Sequence, residues 1–230
     1  MSVVAIVPAA GSGRRAGQEK LFRPVRGVPV IVRTLRRLSA VAAIHRIIVI
    51  ARPRDHRRIR QLVRRYRLAK VRAIVAGGPT RMASVRRGLA ALDNAARWCV
   101  IHDAARPLIA PALVRQVIRA ARRCRAAIAA LPAMDTIKRC RANGTATRLT
   151  TLPRHQVWLA QTPQVFERRL IQRAYEAAAR AGVRVTDDAA AVERLGVRVA
   201  LVPGTPTNVK ITWPSDFAIA ETLLTNGHRG

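Results

Sequence analysis

At 230 residues, half of them hydrophobic and with ordinary glycine and proline, the chain is too apolar for disorder and too varied for a collagen-like repeat. Three well-separated cysteines, Cys99, Cys124 and Cys140, make neither a disulfide framework nor a zinc site, and no apolar run reaches about 18 residues. A formal charge of +31 raises nucleic acid as a partner, yet 39 arginines against four lysines, spread along the chain, read as a compositional habit.

The chain opens on Val3 to Val7, a β-branched run of the kind found in a strand buried on both faces. Without the basic start of a signal peptide, it predicts a cytoplasmic protein. The strand stops at the small-residue turn Pro8-Ala9-Ala10-Gly11-Ser12-Gly13. A helix is expected over Val28 to Leu38, a strand over Arg46 to Ala51 and an arginine-rich helix over Asp55 to Leu68. Val71 to Val75 reads as a third strand, ended by Gly77-Gly78-Pro79 and followed by a helix over Met82 to Leu92. Trp98 to Ile101 is the fourth strand, closed by His102-Asp103; Pro111 to Arg123 is a helix and Ala126 to Leu131 a strand.

The rhythm then breaks. Pro132 to Pro163 is rich in threonine, arginine and turn residues, and reads as a β-hairpin arm leaving the domain, with Trp158 packed under it. Helices return over Glu167 to Ala181 and Asp187 to Leu195, with Thr186 as the expected N-cap. A strand over Val197 to Val202, an extended segment Asn208 to Ile211 and a last helix from Pro214 complete the chain. Strands alternating with helices predict a single α/β domain over 1–230, a Rossmann-like, mainly parallel sheet flanked by helices, with an inserted arm at 133–156.

The first loop, Gly11-Ser12-Gly13-Arg14-Arg15-Ala16, formally fits a dinucleotide fingerprint. No acid lies between Glu19 and Asp55 to hold a ribose diol, which leaves the NADP version with Arg52 as the alternative. Arg15 and Lys20 suit a nucleoside triphosphate better. Glycines let phosphates approach the backbone, and the two cations neutralise charge building on a phosphorus under attack. In a chain that nearly always uses arginine, a lysine here marks a place for a compact point charge.

Six blocks carry a resemblance from Val4 to about Glu221. They are Pro8 to Arg15 with Lys20; Gly77-Gly78 through Arg81 to Ser84-Val85; His102-Asp103-Ala104-Ala105-Arg106-Pro107; Asp135-Thr136-Ile137-Lys138; Thr162-Pro163-Gln164 with Phe166; and Thr186-Asp187-Asp188-Ala189 followed by Asn208-Val209-Lys210-Ile211-Thr212. In this order they resemble the 2-C-methyl-D-erythritol 4-phosphate cytidylyltransferases, nucleotidyltransferases of the non-mevalonate isoprenoid pathway. The resemblance implies transfer of CMP from CTP to methylerythritol 4-phosphate with release of pyrophosphate. A cytidylyltransferase for another polyol phosphate, such as ribitol 5-phosphate, is the alternative within the same fold.

The resemblance also implies roles. Arg15 and Lys20 would stabilise the transition state at the α-phosphate. Ala9, Ala10, Gly11, Gly78 and Ser84 would line the cytosine and ribose pocket, Asp103 would lie near the ribose and the magnesium triphosphate, and Gly13 and Arg106 would also bind substrate. Thr136, Arg154 and Lys210 would hold the polyol phosphate, with Arg154 and Lys210 aligning its attacking oxygen, and Thr186 and Asp187 would face the hydroxyls. A phosphate monoester is already an anionic nucleophile, so the reaction needs positioning and charge neutralisation more than a general base. Mg²⁺ would be held mainly by CTP phosphates.

Three of the four lysines and four of the seven aspartates fall inside these blocks. His102, closing a buried strand, reads as a hydrogen-bonded packing residue. The sequence departs from the family at Gln18-Glu19, where a proline often precedes the lysine, and at Pro79, where an aspartate can occur. The arm predicts a homodimer, because an isolated hairpin gains stability from a second subunit. With eight aromatic residues and no nucleic-acid module, a basic nucleic-acid-binding protein is the reading of another class, and such binding is expected to be incidental.

Overall fold

The computed structural model describes residues 2–11, 19–140 and 149–225. Seven strands form one sheet in the order β11-β7-β10-β6-β1-β4-β5. They are β1 (Ser2–Pro8), β4 (Ile44–Ala51), β5 (Val71–Ala76), β6 (Ala96–Ile101), β7 (Ala126–Pro132), β10 (Trp158–Glu167) and β11 (Ala200–Pro203). All neighbours are parallel except β10, which runs antiparallel to both β6 and β7.

Side chains alternate across β1 and build two cores. Val3, Ala5 and Val7 face α1 (Val30–Ser39), Ile59 of α2 (His56–Arg65) and α4 (Pro111–Cys124). Val4 and Ile6 face α3 (Arg81–Ala90), α5 (Arg168–Arg180) and α6 (Asp188–Glu193). Helices therefore cover both faces, which is why the central strands read as continuous β-branched runs. A third cluster packs α7 (Ser215–Thr225), through Phe217 and Ala220, against Val25, Val30 and Ile211.

Several elements differ from the sequence-based expectation. The helix predicted from Val28 starts at Val30, because β2 (Pro24–Val25) and β3 (Val28–Pro29) form a tight hairpin first. Its two loop residues, Arg26 and Gly27, both have positive φ, the backbone that a two-residue hairpin needs. The arginine-rich helix is shorter than expected, with a single 3-10 turn at Pro53–Asp55 before α2. The strand expected at Val197 begins at Ala200.

The largest difference is β10. The segment read as the end of an arm is a ten-residue strand in the interior of the sheet, and Trp158 begins it, pairing with Pro132 of β7. The arm that remains is β8 (Lys138–Cys140) paired with β9 (Leu149–Thr151), both exposed along their length. Among the described residues, no helix is long and apolar enough to cross a membrane.

Candidate active site

From β1 the sheet grows both ways, through β4 and β5 on one side and through β6 on the other. β1 is followed in the sheet by β4 on one side, while β6 leads on to β7 on the other, so the strand order reverses between them, and the carboxyl ends of the strands at such a point are the usual ligand position. A cavity of about 450 Å³ lies there, within the range of small-molecule sites.

Of the residues singled out from the sequence, Ala9, Ala10, Gly11, Lys20, Gly78, Ser84, Asp103 and Lys210 all line this cavity. Pro8 ends β1, and the Ala9 N–H donates to the Ile50 carbonyl at 2.7 Å, which pins the loop to β4. Gly77 lies against this loop: a Cβ there would sit 2.3 Å from the Ala10 Cβ, so only glycine fits. Ser84 in α3 holds the same segment, its Oγ accepting from the Gly78 N–H at 3.0 Å. Backbone, rather than long side chains, therefore shapes this wall of the cavity.

The opposite wall carries charge. Asp103 follows β6, and Lys210 Nζ lies 2.7 Å from its Oδ2. Burial alone would raise the Asp103 carboxyl. Lys210 first, then Arg81 and Arg106, outweigh it and hold Asp103 well below the usual carboxylate range. Lys20 Nζ donates to the Ile211 carbonyl at 3.1 Å, next to Lys210. The Ile211 N–H in turn donates to the Ala105 carbonyl at 2.8 Å, so the loop after β6 fixes the segment that carries Lys210 and receives Lys20.

The other expected residues are placed differently. Gly13 and Arg15 lie outside the described residues. Arg106 is buried beneath the cavity and its Nη1 donates to the Asn208 carbonyl at 2.6 Å, while its Nε lies 3.9 Å from Asp103 Oδ2. Thr136, Arg154, Thr186 and Asp187 do not line the cavity. Arg154 is exposed at the base of the arm, with Nη1 donating to the Met134 carbonyl at 2.7 Å. Thr186 is exposed and is not the N-cap of α6. Asp187 is, its Oδ1 accepting from the Ala190 N–H at 2.9 Å, because its carboxylate reaches the free N–H groups of the first turn.

The cavity lining also holds two cations not named as site residues from the sequence: Arg52, whose Nε donates to the Ala10 carbonyl at 3.2 Å, and Arg81. Arg81 forms a two-pronged pair with the fully buried Asp188, at 2.9 and 2.7 Å. The concentration of scarce aspartates in the sequence blocks was the available signal for it.

His102 lies under the site, fully buried. The Asp103 N–H donates to Thr162 Oγ1 at 3.1 Å, and Thr162 Oγ1 is 3.0 Å from His102 Nδ1. His102 Nε2 lies 3.3 Å from the Arg106 carbonyl, which can only accept. The network is satisfied by a neutral imidazole protonated on Nε2, with the Thr162 hydroxyl donating to Nδ1. Burial pushes the imidazole down to about 4, against which Asp103 pulls only in part.

An unfolded histidine takes up its proton near pH 6.5 and the folded His102 only near 4, so in between the unfolded chain binds more protons. Stability therefore falls as pH drops from about 6.5 to 4, by on the order of 3 kcal/mol. Denaturant midpoints measured from pH 7 to 4.5 should decline, and His102→Gln should flatten the decline; an equal slope in the variant would assign it to other groups.

A family model described as "IspD: 2-C-methyl-D-erythritol 4-phosphate cytidylyltransferase" matches residues 3–226. The chain belongs to this family. Cytidylyltransferases are nucleotidyltransferases, and the chain is an enzyme of that class. The 2-C-methyl-D-erythritol 4-phosphate cytidylyltransferase of Syntrophus aciditrophicus is 46% identical over 225 residues, covering 96% of this chain and 95% of its own. That of Acidobacterium capsulatum is 42% identical, with 97% and 98% covered. The crystal structure of 4-diphosphocytidyl-2C-methyl-D-erythritol synthase from Anaerococcus prevotii superposes with a TM-score of 0.86 at 32% identity, covering 97% and 98%. The six blocks read from the sequence thus belong to a cytidylyltransferase domain that spans nearly the whole chain.

Proposed function

We propose that this chain transfers the cytidylyl group of CTP to 2-C-methyl-D-erythritol 4-phosphate, forming 4-diphosphocytidyl-2-C-methyl-D-erythritol and releasing pyrophosphate. The observation that carries this reading is the end-to-end family match, joined to a cavity at the carboxyl edge of the sheet that Lys20 and Lys210 both line, brought together from opposite ends of the chain. CTP enters with its base and ribose against the loop of Ala9, Ala10 and Gly11 and against Gly78 and Ser84, where backbone groups can read a pyrimidine edge. Lys20, with Arg15, neutralises charge that develops on the α-phosphate as the substrate phosphate attacks and pyrophosphate leaves. Lys210 holds and orients the attacking phosphate, which needs no general base.

Among the described residues no three acidic, histidine or cysteine side chains converge on a metal position. Asp103 and Asp55 are the carboxylates that line the cavity, and this sparse set fits a Mg²⁺ carried by triphosphate oxygens and water. When bound, the ion supplies charge neutralisation on the triphosphate.

Thr136 and Arg154 stand away from the cavity of a single chain and hold the polyol phosphate from the arm, while Thr186 and Asp187 face its hydroxyls. That placement calls for a homodimer, with the arm of one subunit reaching the other. Met134, Leu149, Trp158 and Leu159 leave apolar surface exposed around the arm, an area suited to a second copy. The reaction takes place in the cytoplasm, in the pathway to isoprenoids.

Pyrophosphate release with Mg²⁺ and CTP, comparing methylerythritol 4-phosphate with ribitol 5-phosphate, tests the reading, and sedimentation of the same preparation tests the dimer. Release with the first substrate and its loss in Arg15→Ala are expected. Release with ribitol 5-phosphate alone would keep the fold and chemistry but move the enzyme to another substrate, and a monomer at micromolar concentration would remove the dimer.

A further inference from the structure

Four side chains of alternating charge stand in line at the cavity: Asp188, Arg81, Asp103 and Lys210. The last three line it, and Asp188 is fully buried behind them. Both Asp188 oxygens are taken by the two terminal nitrogens of Arg81, at 2.9 and 2.7 Å. Asp188 is itself fixed, because Oδ1 also accepts the Tyr175 hydroxyl and its N–H donates to Gln164 Oε1 of β10 at 3.1 Å. The guanidinium is therefore held from behind.

That anchorage decides what Arg81 can do in front. A loose guanidinium beside Asp103 would close on both of its oxygens, the preferred fork geometry. Clamped by Asp188, Arg81 comes no nearer than 3.6 Å, at Asp103 Oδ1. Asp103 Oδ2 is left for Lys210, at 2.7 Å.

We infer that Arg81 is a positioning residue: clamped by Asp188, it orients Asp103 so that the second carboxylate oxygen holds the Lys210 ammonium where the substrate phosphate binds. This goes one step beyond the role proposed for Lys210 and rests on it. Arg81 also begins α3, directly after the loop of Gly77 to Thr80, so the same clamp ties the nucleotide wall of the cavity to the side that carries Lys210.

A double-mutant cycle in kcat/KM tests the inference, with Arg81→Gln and Lys210→Ala made singly and together. Arg81→Gln is expected to lower kcat/KM about tenfold or more, mainly by raising KM for the polyol phosphate, and to cost little once Lys210 is gone. Tyr175→Phe removes one hydrogen bond to Asp188 but leaves both prongs to Arg81 and the bond to Gln164 in place, and is expected to lower stability with kcat/KM nearly unchanged. Equal losses from Arg81→Gln in both backgrounds, or an equal loss from Tyr175→Phe, would overturn the inference. Should Arg81→Gln fail to fold, Arg81→Lys runs the same cycle, since an ammonium cannot grip Asp188 with two prongs. No turnover by the unaltered protein would remove the functional reading and this inference with it; turnover with additive losses would remove the inference alone.

Discussion

Asp188→Ala should lower the unfolding free energy by about 3–5 kcal/mol, the cost of taking one partner from a buried ion pair. The carboxylate has no exposed surface and accepts from Arg81 twice and from the Tyr175 hydroxyl. Its absence leaves the guanidinium, among the described residues, with Asp103 alone, at 3.6 Å, and the buried Tyr175 hydroxyl without its acceptor, each with a desolvation cost of its own. Asp188 holds the Arg81 charge in place and raises the affinity of that guanidinium for its proton, against burial, which works the other way. Denaturant titration of both proteins at pH 7 measures the difference. A loss under 1 kcal/mol would mean that water reaches the site and replaces the carboxylate.

Lys20→Ala should act on rate instead. Removing a cation aimed at developing charge costs about 100- to 1,000-fold in kcat. Its bond to the Ile211 carbonyl is worth only about 1–2 kcal/mol to the fold. Steady-state pyrophosphate release, with the unfolding midpoint taken on the same samples, separates the two effects. A variant within threefold of the parent would place Lys20 outside the reacting centre and leave the phosphate charge to other cations.

The parallel half of the sheet was legible because burial on both faces leaves a simple trace. Val3 to Val7 and Arg46 to Ala51 are runs of β-branched and apolar residues, the first ended by the small-residue turn Pro8 to Gly13 and the second by Arg52-Pro53. The nucleotide wall was legible for a related reason: Gly77 and Gly78 leave no room for a Cβ, against Ala10 and Ala83 respectively, and such places accept few other residues.

β10 was not legible. Gln161, Thr162 and Gln164 are polar and sit beside a proline, a pattern that reads as a turn, yet all three are buried. Each is spent on a tertiary partner: Gln161 on Asn208, Thr162 on His102 and Asp103, Gln164 on Asp187 and Asp188. Those partners lie 23 to 60 residues away, beyond the reach of any local pattern. Arg81 was hidden for the opposite reason, as one arginine among 39. Only its partner, one of seven aspartates, was scarce enough to attract notice.

The position of β10 also sets an order of events on the ribosome. β1, β4, β5 and β6 are complete by Ile101, but the strand that closes the outer edge of β6 ends only at Glu167. At roughly 5–20 residues per second, that edge waits on the order of several seconds for its partner. Through that interval the nascent chain presents the backbone of Trp98, Cys99, Val100 and Ile101 with nothing from its own sequence to pair with it. The half-made enzyme thus carries an unprotected strand edge that the finished one encloses.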